Sequence, residues 1–195
     1  MATADWGAVV TLPPAAGRLL VATPLLGDPH FSRTVVYLLE HDGGGTVGVV
    51  LNRPSHTPVG QVLPDWHDAV SGPAVVFGGG PVQPDGALCL GQLNVADPAQ
   101  EMSKEVVDGI STIDLDGDVT VIAPQARQLR VFAGHAGWSA GQLEAELAEG
   151  AWWVFGGSSA DLFSDEPRVM WRRVLARQPA PLSLVSTFPE DPSRN

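Results

Sequence analysis

Residues 129–153 of the chain read L-R-V-F-A-G-H-A-G-W-S-A-G-Q-L-E-A-E-L-A-E-G-A-W-W. The apolar and β-branched character of residues 129–132 predicts a strand. Leu143 and Leu147 share one face of a helix predicted over residues 140–149, and glutamates cover the opposite face. The stretch therefore predicts a strand, a tight turn and an amphipathic helix in succession.

The turn between these elements carries G-W-S-A-G at 137–141, the pattern of a serine-hydrolase nucleophile elbow. In hydrolases of that kind the catalytic histidine follows the serine, whereas all five histidines of this chain precede Ser139. Ser139 also begins a capping-box pattern, S-A-G-Q, in which the Gln142 side chain returns to the serine amide. We interpret Ser139 as the helix cap. The alternative is a small-molecule hydrolase whose site is assembled from residues that are distant in sequence.

Short elements separated by turns rich in glycine and proline are predicted along the rest of the chain. The ordered part of the chain is predicted to start at 17–22. Apolar runs predict strands at 34–40, 46–51, 74–77, 87–90 and 110–115, and a further apolar run lies at 151–155. Helices are predicted at 59–63 and 168–177, and the second has a solvated face with Arg168, Arg172, Arg173 and Arg177. Residues 119–127 favour neither strand nor helix, because Pro124 interrupts a segment of strand-forming residues.

The size and the charge of the chain restrict the functions that it could serve. With 195 residues it is long enough for one domain that buries about 70% of its unfolded surface. Eleven lysines and arginines against 22 aspartates and glutamates give a formal net charge of -11. Such a charge repels a phosphate backbone, so no direct nucleic-acid partner is expected.

Cysteine usage and hydropathy indicate the compartment. The single cysteine, Cys89, excludes an internal disulfide, and its apolar neighbours predict a buried strand residue. The first residues lack the basic and apolar segments of a signal peptide, and no apolar stretch approaches the ~20 residues that span a bilayer. We therefore expect a cytoplasmic protein without membrane contact.

No motif predicts a cofactor or a metal. The glycine pattern of residues 43–48 matches G-x-G-x-x-G, but a valine-rich strand follows it and not the helix that would bind pyrophosphate. The acidic turn at 114–118 places Val119 and Gln125 where a calcium-binding EF-hand needs glycine and glutamate. Zinc motifs are absent from the sequence. We expect no cofactor, no metal and no catalytic residues.

Four separated segments of the chain point to a family. They are A-T-P-L-L-G-D-P-H-F-S-R-T-V-V (22–36), G-V-V-L-N-R-P (48–54), G-G-P-V (79–82) and G-H-A-G-W-S-A-G-Q-L-E-A-E (134–146) with G-A-W (150–152). In this order they closely resemble the AlgH/YqgE family of bacterial proteins, and the resemblance covers residues 17–177. The chain departs from the family at His135, where Tyr is usual, and at Ser139, where the family varies.

The resemblance implies an α+β fold with a single domain, in which helices flank a strongly bent, partly barrel-like β-sheet. We place this domain at residues 17–188, after a flexible lead over 1–16 and before a frayed tail over 189–195. The family carries a transcriptional-regulator label. This chain has no helix-turn-helix pattern and has the wrong net charge for DNA, so an indirect regulatory role is expected.

The shared motifs contain the residues that we predict to bind a ligand if a surface cleft exists: Arg33, Asn52, Arg53, Trp138 and Gln142. Arg33 and Arg53 would hold an anionic group, Asn52 would donate and accept hydrogen bonds, and Trp138 would form an apolar wall. The alternative is architectural: Asn52 stabilises a strand exit, Arg33 pairs with Asp28, and Trp138 packs in the core. We expect a non-enzymatic binding or regulatory-accessory domain that takes a protein partner or a small anionic ligand.

Overall fold

The computed structural model describes residues 11–94 and 102–188, which form an α+β fold around one curled, partly barrel-like sheet. Within these residues the strands are β1 (Arg18–Ala22), β2 (Val35–Asp42), β3 (Gly45–Val50), β4 (Pro54–Pro58), β5 (Val75–Gly78), β6 (Val82–Leu93), β7 (Ser103–Val107), β8 (Ile110–Ile113), β9 (Ala126–Ser139) and β10 (Trp152–Gly156). Neighbouring strands follow the order β10-β1-β2-β3-β9-β6-β8-β7, and β5 pairs with both β4 and β9. The β5–β9 pair is parallel, and the others are antiparallel. The predicted fold class is confirmed.

The helices are short. In the described part of the chain they are α1 (Val59–Val62), α2 (Val119–Ile122), α3 (Gln142–Ala148), α4 (Ser159–Leu162), α5 (Met170–Ala176) and α6 (Leu182–Val185). Single 3₁₀ turns lie at Pro64–Trp66, Ala123–Gln125 and Pro167–Val169. No helix in these ranges is both long and apolar enough to cross a membrane.

Strand β1 shows how the sheet is covered on both faces. Leu19 and Val21 belong to a core cluster that includes residues of α5 and α6, and Leu20 belongs to a second cluster that includes Leu143 of α3. Because successive side chains of a strand point to opposite faces, helices pack on both sides of this part of the sheet. The continuous apolar composition of β1, R-L-L-V-A, follows from this double burial.

Most predicted elements are present with shifted bounds. The segment 119–127, which the sequence left open, is α2 followed by a 3₁₀ turn, and the Asp118 carboxylate caps α2 by accepting from the Thr120 amide. The predicted helix at 168–177 is a 3₁₀ turn continued by α5, and the apolar run at 151–155 forms β10. The sequence did not predict β4, β7, α4 or α6.

The proposed domain bounds stay predictions. Of the lead over 1–16, only residues 11–16 are described, and the Leu12 amide there donates to the Val154 carbonyl of β10 at 3.0 Å. The tail over 189–195 lies outside the described residues.

The helix cap predicted at Ser139 is wrong. Ser139 ends β9, and α3 begins two residues after it, with Gly141 as an N-cap in the left-handed conformation and no side-chain cap. The Gln142 carboxamide oxygen accepts from the Ser139 amide at 3.1 Å and from its hydroxyl at 3.2 Å. Of the predicted capping box, the bond from the Ser139 amide to the Gln142 side chain is therefore present, but the Ser139 hydroxyl caps no helix amide. A complete capping box occurs instead at α4, between Ser158 and Asp161.

Strand β9 is the longest of the described strands, with 14 residues where the sequence predicted four. It pairs with β3, β5 and β6, so it joins the two halves of the sheet. The segment G-H-A-G-W reads as a turn because glycine weakens strands, but here the glycines permit close backbone approach.

The backbone of residues 78–80 crosses β9 at a site where only glycine fits. The Gly79 amide donates to the Ala133 carbonyl and its carbonyl accepts from the Val50 amide, each at 2.8 Å. A Cβ atom on Gly79 would collide with the Gly134 carbonyl oxygen, and one on Gly134 would lie 2.5 Å from the Gly80 carbonyl oxygen. The G-G-P-V motif (79–82) and the G-H-A-G motif (134–137) therefore contact each other through their backbones, at Gly79, Gly80 and Gly134.

Replacing Gly79 with Ala should lower the free energy of unfolding by about 3 kcal/mol or more, because rigid backbone atoms would have to move to admit the methyl group. Urea denaturation would measure the change. Gly27→Ala is the matched control, since nothing lies within 4 Å of the added atom there. Equal stability of the two variants would contradict the packing argument.

Candidate functional site

A cleft of about 540 Å³ opens where three parts of the chain meet. These are the turn before β2, the exit of β3 toward β4, and the start of α5 with the 3₁₀ turn before it. The lining residues are Ser32, Arg33, Asn52, Arg53, Pro54, Arg168, Trp171 and Arg172. Four of them are arginines and none is acidic, so the cleft is a local concentration of positive charge on an acidic chain.

Asn52 is a buried clamp at the base of the cleft. Its side-chain oxygen accepts from the Val35 amide at 3.0 Å, and its side-chain nitrogen donates to the Arg33 carbonyl at 2.8 Å. With both hydrogen-bonding ends used by the backbone and 5% exposure, Asn52 stabilises the start of β2 from the strand exit. This is the architectural role named as the alternative for Asn52.

The clamp fixes an unusual backbone at Arg33, whose φ is 54°. A left-handed conformation is costly for residues other than glycine, so it persists only where the surroundings impose it. The Arg33 guanidinium stacks over the Trp171 ring at 4.5 Å and donates to the Phe188 carbonyl at 3.1 Å. The Trp171 ring nitrogen is in turn held by the Ala22 carbonyl at 2.8 Å.

The other three arginines approach the cleft from two sides. Arg53 donates to the Ser32 carbonyl at 2.6 Å, and partial burial lowers the pKa of its guanidinium. Arg172 donates to the C-terminal segment, and Arg168 is exposed. Among the described residues, Arg168 has no hydrogen-bond or ion-pair partner. It is therefore the cleft arginine with the most freedom to contact a ligand.

On the predicted solvated face of residues 168–177, Arg168, Arg173 and Arg177 are exposed and Arg172 is half-buried, but these arginines differ in their partners. Arg177 forms an ion pair with Asp161, with contacts of 2.6 and 3.0 Å, and Arg173 pairs with Glu166. These two pairs tie α5 to α4 and to the loop after it. Arg168 and Arg172 are left to line the cleft.

Trp138 and Gln142, the other two predicted ligand residues, lie outside the cleft. Both contact Glu146 of α3, which also accepts from the Trp152 ring nitrogen at 2.8 Å. Trp138 is 6% exposed and packs against the Phe31 and Trp152 rings, with centroids 5.9 and 5.8 Å away. Trp138 thus has the core-packing role named as its alternative, and Gln142 belongs to the same network.

The structure also contains a buried arginine that the sequence analysis missed. Arg130 of β9 is 1% exposed and donates to the carbonyls of Leu162, Gly72 and Ser164 at 2.8 to 2.9 Å. Its guanidinium lies 4.4 Å from the Phe77 ring centroid. Burial lowers the pKa of Arg130 to about 10, which keeps it charged near neutral pH. This arginine fastens loops to the sheet and is not part of the cleft.

Within residues 11–94 and 102–188, no group of three or more His, Cys, Asp or Glu side chains is placed to hold a metal ion. In the acidic turn, Asp114 accepts from the Asp116 amide at 3.0 Å. Hydrogen bonds from Thr120 lower the pKa of the Asp118 carboxyl. These carboxylates thus organise the turn and the cap of α2.

The sequence profile of the AlgH-like family matches residues 19–183. The chain belongs to the AlgH-like family. This AlgH-like protein is 48% identical over 190 residues to the UPF0301 protein of Thermobifida fusca, covering 92% of this chain and 94% of the relative. It is 47% identical over 182 residues to the UPF0301 protein of Mycobacterium avium, covering 92% and 90%. The family predicted from the four motifs is confirmed.

Two solved structures share the fold of this AlgH-like protein. The crystal structure of protein DIP2367 from Corynebacterium diphtheriae is 32% identical, has a TM-score of 0.87, and covers 94% of this chain and 97% of that one. The solution structure of the AlgH protein from Pseudomonas aeruginosa is 31% identical, has a TM-score of 0.67, and covers 90% and 94%.

Asn52→Ala should lower the free energy of unfolding by about 3 kcal/mol, because it leaves the buried Val35 amide and Arg33 carbonyl without their partner. Chemical denaturation would measure the loss. Asn94→Ala removes an exposed amide that contacts only a side chain, Arg127, and is expected to change stability by less than about 0.5 kcal/mol. A mild effect at Asn52 would show that the clamp does not hold the turn.

Ser139 should not react with a fluorophosphonate probe, because its hydroxyl donates to the Gln142 carboxamide and Ser139 lacks the strained, left-handed backbone of an elbow. Mass spectrometry of the wild type and of Ser139→Ala should show the same background labelling. The substitution should cost less than about 1 kcal/mol of stability, since an exposed neutral hydrogen bond is lost. Labelling that disappears in the variant would favour the hydrolase interpretation.

Proposed function

We propose that this AlgH-like protein is a non-enzymatic binding domain whose arginine cleft takes the anionic group of a small ligand. The observation that carries the proposal is the convergence of Arg33, Arg53, Arg168 and Arg172 on one cleft, where none of the lining residues that the structure describes is acidic. Guanidinium groups in such a fork geometry suit phosphate and carboxylate oxygens, which they bind through paired, charge-assisted hydrogen bonds.

The electrostatic setting supports a local anion site. The whole chain has a formal net charge of -11, so like-charged molecules are repelled from most of its surface. Four guanidinium groups line a cleft of about 540 Å³, and their positive charge attracts an anion locally. A cavity of this volume lies in the usual range for small-molecule sites.

The proposal includes an indirect regulatory role. If the anion binds one conformation or one complex of the domain more tightly than another, it shifts their populations, and the domain can then report ligand concentration to a protein partner. The same net charge opposes direct DNA binding, which would show a steep salt dependence.

We also propose a cytoplasmic location, which suits a chain with one cysteine and hence no internal disulfide.

The test is a titration of the full chain with inorganic pyrophosphate and inorganic phosphate, followed by calorimetry at low and at physiological ionic strength. The wild type should bind pyrophosphate more tightly than phosphate, because more oxygens are available to the guanidinium groups. Arg168→Gln should weaken pyrophosphate binding about tenfold, the effect of losing one charge-assisted contact of about 1.4 kcal/mol.

The matched control is Arg127→Gln, which removes the same charge from an exposed position on β9 outside the cleft. Its affinity should stay within about twofold of the wild type, a difference of about 0.4 kcal/mol. The proposal fails if the wild type binds neither anion, or if both variants lose affinity equally.

A further inference from the structure

A second pocket, of about 370 Å³, shares no lining residue with the arginine cleft. Val131 and Ala133 of β9 line it, and side chains two residues apart on a strand point to the same face. Phe132 between them belongs to the core cluster that contains Phe77, so the pocket lies on the face of β9 opposite to that core. Its walls come from the end of α1 and from strands β4, β5 and β6.

Apolar side chains that are open to solvent surround this pocket. Val62 at the end of α1 is 53% exposed, and Leu63, Val76 and Ala133 are half-buried. Covering apolar surface is favourable in proportion to the area that is removed from water. Mostly apolar walls with few polar groups are typical of small-molecule sites. The pocket therefore suits the hydrocarbon part of a small ligand.

A bulge in β6 brings one carboxylate to this pocket. Val82 pairs with His135 and Ala87 pairs with Ala133, so five steps along β6 oppose two steps along β9. The residues in between leave the ladder, and bulges of this kind redirect side chains. Asp85 of the bulge is thereby placed in the lining of the pocket.

Backbone contacts hold the bulge in one shape. Gln83 has a φ of 48° and precedes Pro84, although a residue before proline favours an extended backbone. The bulge lies against β9, because a Cβ atom on Gly134 would be 3.1 Å from the Pro84 Cα atom. A left-handed conformation persists only where such contacts impose it. The fold therefore sets the position of the Asp85 backbone at the pocket.

Asp85 is the only charged residue among the described residues that line the pocket. Within residues 11–94 and 102–188, its carboxylate has no hydrogen-bond or ion-pair partner. An ammonium group would supply both the hydrogen-bond donors and the opposite charge. Next to apolar walls this attraction is stronger than in bulk water. The pocket is therefore complementary in charge to an organic cation.

We infer that this pocket binds a small organic cation, with a hydrocarbon body against Val62, Leu63 and Ala133 and an ammonium group at the Asp85 carboxylate. The inference does not depend on the anion site, because the two sites share no lining residue and take opposite charges. A primary alkylamine belongs to this class of ligand, since it keeps its charge at neutral pH as a lysine side chain does.

The test is an NMR titration of the full chain with hexylammonium, hexanol and hexanoate, three probes with the same hydrocarbon body and different head groups. The Val62 and Leu63 methyl signals should shift most, since both residues line the pocket. Hexylammonium should bind about fivefold more tightly than hexanol, the effect of one partly exposed ion pair, and hexanoate should bind most weakly. Equal affinities for hexanol and hexylammonium would overturn the assignment of a cation.

The contribution of the apolar walls is measured with a shorter amine. Butylammonium should bind about tenfold more weakly than hexylammonium, because two fewer methylene groups are buried. Equal affinities for the two amines would show that the hydrocarbon stays in water, and would overturn the inference.

Asp85→Asn keeps the size of the side chain and removes its charge. The variant should bind hexylammonium about fivefold more weakly and hexanol within about twofold of the wild type. The matched control is Asp116→Asn, which removes the same charge from an exposed position that does not line the pocket. Equal losses of hexylammonium affinity in the two variants would assign the preference to net charge and overturn the role of Asp85.

Ala87→Leu locates the site. Ala87 is exposed and lies opposite Ala133, so the larger side chain projects into the pocket and not into the core. The variant should bind hexylammonium at least about tenfold more weakly, because the ligand meets a steric clash. Its urea denaturation should match that of the wild type. Unchanged affinity in a folded variant would place the ligand elsewhere and overturn the inference.

A second copy of this chain is the other occupant that the apolar walls would accept. Dilution series with and without hexylammonium separate the two. Methyl signals of Val62 and Leu63 that shift with hexylammonium at constant protein concentration support the ligand. Signals that shift only with protein concentration would show that a second copy covers the pocket, which would overturn the inference.

Discussion

The backbone of residues 78–80 is held against both β3 and β9, and this contact positions several other parts of the fold. Gly79 bonds to β3 through Val50 and to β9 through Ala133, and the Gly78 amide donates to the Arg53 carbonyl at 2.8 Å. The crossing therefore sets where β3 ends and where the chain leaves toward β4. Because Asn52 and Arg53 lie in that exit, a contact between glycines in the sheet determines the position of the cleft.

The Asn52 side chain links the exit of β3 to the backbone at Arg33. Asn52 holds the Arg33 carbonyl and the Val35 amide, and Arg33 remains in a left-handed conformation that costs of order 1 kcal/mol or more for a residue with a Cβ atom. The result is a guanidinium stacked on Trp171 at the cleft. Such a left-handed conformation persists only because the surrounding contacts impose it.

The G-W-S-A-G motif has an architectural explanation in this fold. Its tryptophan and the Trp152 indole both donate to Glu146, and Gln142 of α3 joins the same carboxylate. The motif thus anchors α3 to β9 and β10 around one shared acceptor. Its glycines permit the turn at Gly141, which has φ of 77°, and the pairing of Gly137 with Val47 of β3. The motif resembles a hydrolase elbow in sequence only, because Ser139 ends β9 without the left-handed backbone of an elbow.

Most of the apolar strands and the buried face of α5 could be predicted from the amino-acid sequence, because they follow from side-chain periodicity in short windows. The family followed from four separated motifs, and the α+β class followed from the resemblance to that family. The sequence also placed Arg33, Asn52 and Arg53 among the candidate residues. Only the tertiary structure showed that these three meet Arg168 and Arg172, and that Trp138 and Gln142 belong to a different network. The same holds for Arg130, whose carbonyl partners are more than thirty residues away in the chain. The physical reason is that a cleft is formed by contacts between distant segments, and such contacts depend on backbone crossings and buried hydrogen bonds that leave no periodic signal in the sequence.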